Sequence, residues 1–215
     1  MVHHVSNGDV TEADTAIVYI LSWLAVKSDD TAAIAHTLGM IDLRSCSVEE
    51  GFYESGPRLA HRRPLTRLAR FLGLRPPAAK PEAPKYFIAP PIDGWTLVFG
   101  ADIAFGDELR TELSRVFGEA QAFHSYQDNS GYRWARSRGG KTVRAVTVDD
   151  GDVTSEGETS PPEPEPANLS RANEYDVLRI ARGWSVDPNV LVRNGTPGQL
   201  GTRGMVDYQD GAGNA

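Results

Sequence analysis

Hydrophobic residues form an almost unbroken run near the start of the chain, in TAIVYILSWLAV from Thr15 to Val26. Its β-branched and aromatic residues favour a buried strand. The run is shorter than the roughly 20 apolar residues that a membrane-spanning helix needs. No Lys or Arg precedes it, whereas a signal peptide would begin with positive charge. The pattern therefore predicts a buried strand in a cytoplasmic protein.

Three segments show the periodicity and the end signals of helices. SDDTAAIAHTLG has Asp29 or Asp30 as N-cap and ends at Gly39. GDELRTELSRVFGE repeats apolar residues every three or four positions and ends at Gly118. EYDVLRIARGW is the third predicted helix, whereas LRSCSVEEGFYESG is interpreted as extended chain.

Several short segments have the composition or the alternation of strands. YFIA and WTLVFG are separated by a turn from Pro90 to Gly94, and AQAFHSYQ, GYRWARS and TVRAVTV form a predicted antiparallel meander. The fold class is therefore α+β, with an antiparallel sheet of about five to six strands and helices packed mainly on one face. Residues 1–160 form this domain, and a basic insertion occupies about 57–84.

The sequence Gly-Gly-Lys-Thr within RSRGGKTVRA resembles part of a nucleotide phosphate loop, but its context differs. A phosphate loop follows a strand and opens a helix, whereas a strand pattern follows here. Gly139 and Gly140 instead suit the two positive-φ positions of a tight hairpin turn. A regular ladder from that turn places Trp134 opposite Ala145, and it assigns four residues to the core: Tyr132, Trp134, Val143 and Ala145.

The succession GWTLVFGADI, LSRVFGEAQAFHSYQ, GYRWARSRGGKTVRAVTVDDG and DVLRIARGWSVDP resembles a family of uncharacterised bacterial proteins. The likeness covers roughly residues 86 to 190, with weaker echoes from Trp23 to Gly51. It implies one coherent domain and transfers no catalytic residue.

Charge is distributed unevenly along the chain. The segment RLAHRRPLTRLARFLGLRPPAAK, from Arg58 to Lys80, carries seven positive charges and no acidic residue. Three alternatives follow for this segment. It is an amphipathic helix that binds an acidic protein or an anionic membrane surface, or it contacts nucleic acid, or it is a solvated insertion without function. The predicted partner-binding residues are Arg62, Arg63, Arg67, Arg70, Leu65, Leu68 and Phe71.

An acidic run lies in the second half of the chain. DDGDVTSEGETSPPEPE, residues 149–165, contains seven carboxylates and no Lys or Arg. Its Pro and Glu content predicts a loosely held linker, placed at 161–173, that either solubilises the chain or shields the basic segment. Residues 174–192 then form a C-terminal helical segment, and residues 193–215 form a predicted disordered tail.

Composition narrows the functional classes. A chain of 215 residues with a formal net charge of -7 fits one principal domain and argues against nucleic-acid recognition. The single Cys46 excludes an internal disulfide. No motif for a cofactor, a metal or covalent catalysis is present.

One histidine is a candidate catalytic group. His124 lies near Tyr126 and Asp128 on a predicted strand, and it is the weak candidate for a general base. We therefore predict a non-enzymatic, protein-binding accessory protein, of the immunity-like or antitoxin-like kind. The alternative is a small-molecule enzyme or ligand-binding domain with a pocket near His124 and Trp134.

Overall fold

A computed structural model describes residues 20–55, 85–101, 103–126, 131–193 and 200–206. These residues form one nine-stranded sheet in the order β2-β9-β3-β4-β1-β5-β6-β7-β8. The strands are β1 Ile20–Val26, β2 Met40–Ser47, β3 Lys85–Ile88, β4 Thr96–Phe99, β5 Glu119–Tyr126, β6 Gly131–Arg138, β7 Lys141–Asp149, β8 Asp152–Gly157 and β9 Leu200–Val206. Every neighbouring pair is antiparallel.

Helices connect and cover these strands. They are α1 Thr31–Thr37, α2 Val48–Ser55, α3 Asp107–Phe117, α4 Glu174–Trp184 and α5 Val190–Arg193, with short 3-10 helices at Ile103–Phe105 and Pro166–Arg171. The predicted α+β class is thereby confirmed. The predicted count of five to six strands is wrong, because the sheet has nine.

The central strand β1 carries apolar side chains on both faces of the sheet, so both faces must be covered by other parts of the chain. Trp23 and Leu24 are adjacent, so they point to opposite faces, and both are fully buried. We call the face that carries Trp23 the front face and the face that carries Leu24 the back face. The apolar run predicted as a buried strand lies, over its described residues, at the middle of the sheet.

Helices pack on both faces, contrary to the prediction that they lie mainly on one. On the front face, Val177 and Trp184 of α4 join the hydrophobic cluster of Trp23 and Phe87. On the back face, Ile34 of α1 and Leu113 of α3 join the cluster of Leu24 and Val98. A strand covered on both sides needs apolar residues at successive positions, which is why β1 lacks polar alternation.

Three elements, β2, α2 and β9, were not predicted from the sequence. β2 is largely exposed between Met40 and Cys46, and residues 48–55 form helix α2 although they were predicted to be extended. The predicted disordered tail also contains β9, which pairs with both β2 and β3. β2 and β9 are stabilised by pairing with strands that are distant in the sequence.

The hairpin between β6 and β7 confirms the turn at Gly139 and Gly140, whose φ angles are 54° and 80°. Its predicted register is wrong beyond Thr142, because the ladder shifts between Arg136 and Ser137 and leaves Val143 as an extra residue on β7. Trp134 therefore pairs with Val146 and Tyr132 with Val148, whereas Val143 is exposed. The predicted core positions of Val143 and Ala145 are corrected to Val146 and Val148.

The acidic run differs from the predicted loose linker. Residues 152–157 form strand β8, and Leu169 and Ala172 are buried in the front-face cluster. The side chain of Glu163 is fully enclosed. Residues 161–173 therefore pack against the sheet and lead directly into α4, whose N-cap is Asn173.

The predicted partner-binding residues of the basic segment lie outside the described residues. Within the described ranges, no helix has both the length and the apolar composition to cross a membrane.

Candidate functional site

The structure separates the two residues of the predicted pocket. His124 and Phe123 are adjacent on β5, and Phe123 pairs with Trp134 across to β6. Trp134 is therefore on the front face, where it is fully buried, whereas His124 is on the back face against the Phe105 ring at a centroid distance of 4.6 Å. A single pocket cannot be lined by both side chains.

A small cavity does lie beside His124. It has a volume of about 180 Å³ and is lined in part by Phe105, His124, Arg133, Thr147 and Asp149. The Arg133 guanidinium lies 5.7 Å from the Phe105 ring centroid and donates to Thr147 Oγ1 at 3.0 Å. These partners hold Arg133 in place as the cavity wall.

Ion pairs next to this cavity have a structural role. Asp107 Oδ1 accepts from both Arg110 and Arg133, each at 2.5 Å. Burial raises the pKa of Asp107, but the charges and hydrogen bonds of Arg110 and Arg133 outweigh burial and leave that pKa below its ordinary value. Arg110 also donates to Ser137 at 2.8 Å, so the cluster ties α3 to β6.

A second carboxylate cluster fixes α4 to the sheet. Glu119 accepts from Arg136 at 2.6 Å, from Arg138 at 2.9 Å and from Gln121 at 2.8 Å. Burial opposes ionisation of Glu119, yet these hydrogen bonds hold its pKa below the ordinary value. The Arg136 guanidinium also lies 5.5 Å from the Trp184 ring centroid. The contacts of Glu119 and Arg136 therefore have a structural role.

A larger cavity lies near the opposite end of the sheet, between α2 and strands β2, β9 and β3. Its volume is about 310 Å³, and its charged lining residues are Asp42, Arg44, Lys85 and Arg203. Gly51 and Ser55 of α2 line the same cavity.

Strand β8 is the element of the sheet that is most open to a partner. Each of its six residues is exposed, and it is an edge strand that pairs, among the described parts of the chain, with β7 alone. An edge strand presents unpaired backbone N–H and C=O groups to another chain. Sequence reasoning missed this strand because its acidic residues indicated a linker.

A buried ion pair holds β8 in position. Arg144 on β7 contacts Glu163 Oε2 at 2.8 Å, with side-chain exposures of 4% and 0%. Arg144 Nη1 also donates to the carbonyl of Gly157 at 2.8 Å, at the end of β8. Trp134 Nε1 donates to the same Glu163 carboxylate at 3.1 Å. The edge strand is therefore anchored to the core at its C-terminal end.

The turn before β8 and β8 itself carry charge of one sign. Residues 149–158 contain five carboxylates and no Lys or Arg: Asp149, Asp150, Asp152, Glu156 and Glu158. Asp149 pairs directly with Asp152 across the closing turn, where like charges destabilise a hairpin. A cationic partner would relieve this repulsion.

Over the described ranges, no group of three or more His, Cys, Asp or Glu side chains is arranged to hold a metal ion. Comparisons with protein-family models, with curated proteins and with solved structures find no match to this chain. The resemblance to a bacterial family therefore stays a prediction.

Proposed function

We propose that this is a non-enzymatic, protein-binding accessory protein, of the immunity-like or antitoxin-like kind, and that it binds its partner along the edge of β8. The observation that carries this proposal is an edge strand exposed along its whole length and anchored by Arg144 and Glu163. A strand that is already extended loses little conformational freedom when another chain pairs with it.

The alternative of a small-molecule site has less support. The predicted pocket is divided between two faces of the sheet, and the cavity at His124 is smaller than typical ligand pockets of about 300–1,000 Å³. The cavity beside α2, at about 310 Å³, reaches the lower end of that range, but neither His124 nor Trp134 lines it. The ion pairs beside it connect α3 to β6. Protein binding at β8 therefore has more support than a small-molecule site, because it uses an exposed edge strand and its carboxylates.

Site-specific photocrosslinking in cells tests the proposal. A photoreactive amino acid at Val153, on β8, should capture a protein that mass spectrometry identifies. The same probe at Arg179, on the exposed side of α4, is the positional control.

Ser155→Pro should abolish capture at Val153, because proline removes a backbone donor on the outer edge of β8, where proline is structurally tolerated. Ser155→Ala should retain capture, and His124→Ala should leave it unchanged. Capture that survives Ser155→Pro in a folded protein, or that is equal at Val153 and Arg179, would contradict the proposal.

A further inference from the structure

The register of the β7–β8 hairpin determines which groups of β8 face outwards. Asp149 pairs with Asp152 across the turn residues Asp150 and Gly151, whose φ angles are 47° and 88°. The pair that closes a two-residue turn of this type is hydrogen-bonded. Alternation along the strand then directs the N–H and C=O groups of Val153 and Ser155 away from β7, towards the free edge.

The same register sorts the side chains of β8 by face. Val153 and Ser155 pair with Val148 and Val146, so they lie on the front face. Asp152, Thr154 and Glu156 consequently lie on the back face. An added strand therefore meets two carboxylates on one side and a partly apolar surface on the other.

We infer that the partner contributes a basic, extended segment that adds antiparallel to β8, an assignment that rests on the proposed function. Two cationic residues four positions apart lie opposite Asp152 and Glu156, and apolar residues lie opposite Val153 and Ser155. The cations occupy pairs without mutual backbone hydrogen bonds, where the side chains of facing residues are closest.

Electrostatics favour this occupant over a second copy of the same strand. Two β8 strands paired with each other would bring their carboxylates together, and like charges on facing residues are destabilising. Asp149 and Asp152 already face each other in the free protein, and a partner cation beside Asp152 offsets the repulsion expected between facing like charges. The acidic residues thus select the partner at a cost to the stability of the hairpin.

A synthetic peptide with the core Arg-Val-Thr-Val-Arg is the probe, and the full-length protein is titrated with it by fluorescence anisotropy. N-methylation of either valine blocks an N–H that faces β8, so it should weaken binding about tenfold or more. N-methylation of the central threonine blocks an N–H that faces away, so it should leave the affinity within about twofold. Equal effects at threonine and valine, or no binding of the unmodified peptide, would overturn the inference.

Charge substitutions on β8 test the proposed role of its carboxylates independently. Glu156→Lys should weaken binding of the arginine peptide about two- to tenfold, and a peptide with glutamate in place of its arginines should recover affinity for that variant. Asp152→Asn should weaken peptide binding while raising the thermal stability of the free protein, since it removes the repulsion with Asp149. A variant that loses binding and stability together would contradict the assigned role of Asp152.

Other occupants give different results. Dimerisation that Ser155→Pro abolishes would identify a second copy, and tighter peptide binding after neutralisation of Arg62, Arg63, Arg67 and Arg70 would identify the chain's own basic segment. Either result overturns the assignment to a separate partner. If the peptide fails but crosslinking at Val153 still identifies a Ser155-dependent protein, only the partner class is wrong. If both experiments fail, protein binding at β8 is wrong as well.

Discussion

Glu163 shows how one buried carboxylate positions an exposed strand. Its oxygens accept from Arg144 and from Trp134 Nε1, and Ser160 N–H donates to it at 3.2 Å. The cost of burying a carboxylate is offset only when its hydrogen bonds are made, and these partners supply them. The ion pair therefore connects the core residue Trp134 to the end of β8.

Removing this carboxylate should destabilise the whole domain. Glu163→Gln leaves the buried Arg144 guanidinium without a counter-charge, so we expect the free energy of unfolding to fall by about 3–5 kcal/mol. Glu165→Gln is the matched control, because Glu165 is exposed and its loss should change that energy by less than about 0.5 kcal/mol. Urea denaturation measures both, and equal losses would show that the ion pair has no special weight.

At the scale of elements, the turn at Gly139 and Gly140 decides how β6 and β7 meet. A Cβ atom added at Gly139 would contact nothing within 4 Å, so the only obstacle to a side chain is the φ angle of 54°. Substitution there isolates the cost of the left-handed backbone from the cost of crowding.

Gly139→Ala should therefore lower the free energy of unfolding by about 1–2 kcal/mol, the cost of a left-handed conformation for a residue with a Cβ. Gly139→Asn should cost less, because asparagine tolerates this region. Thermal unfolding of the two variants distinguishes them. If alanine and asparagine cost the same, the backbone conformation does not determine the stability of this turn.

The same hairpin shows what the sequence predicts and where prediction stops. Two consecutive glycines indicate the turn, because few other residues accept positive φ at both positions. The extra residue Val143 is invisible in the alternation, since a β-bulge inserts one residue without a local change of pattern. One unpredicted residue therefore moved the predicted core partners of Trp134 and Tyr132 by one position.

The acidic segment was predicted to be a linker because its stabilising contacts are also with residues distant in the sequence. Its Pro and Glu content is typical of a linker, but contacts with distant residues override composition: β8 pairs with β7, and Glu163 forms an ion pair with Arg144. β2 and β9 were likewise unpredictable locally, because each is stabilised by its neighbours in the sheet. Local patterns predicted β1 from its unbroken apolar run and α1, α3 and α4 from their apolar periodicity, and each of these elements is buried on the side that faces the core.

At the scale of the molecule, three carboxylates with shifted pKa values fall into two groups with opposite pH behaviour. Asp107 and Glu119 have lowered pKa values because their arginine partners outweigh burial, so their stabilisation is present at neutral pH and is lost as pH falls through those values. Glu174, at the start of α4, has a raised pKa because it is buried. Its ionisation therefore costs stability at neutral pH.

Glu174→Gln should reveal this cost. A group with a raised folded-state pKa contributes stability that is complete below its unfolded value, 4.5 for glutamate here, and that is lost as pH rises through the folded value. The variant lacks this titration, so it should unfold at a higher temperature than the wild type at pH 7, and the difference should shrink as pH falls through the raised pKa of Glu174 and be gone below 4.5. The losses at Asp107 and Glu119 affect both proteins equally and cancel in the comparison. A difference in melting temperature that stays constant across this pH range would mean that burial does not raise the pKa of Glu174.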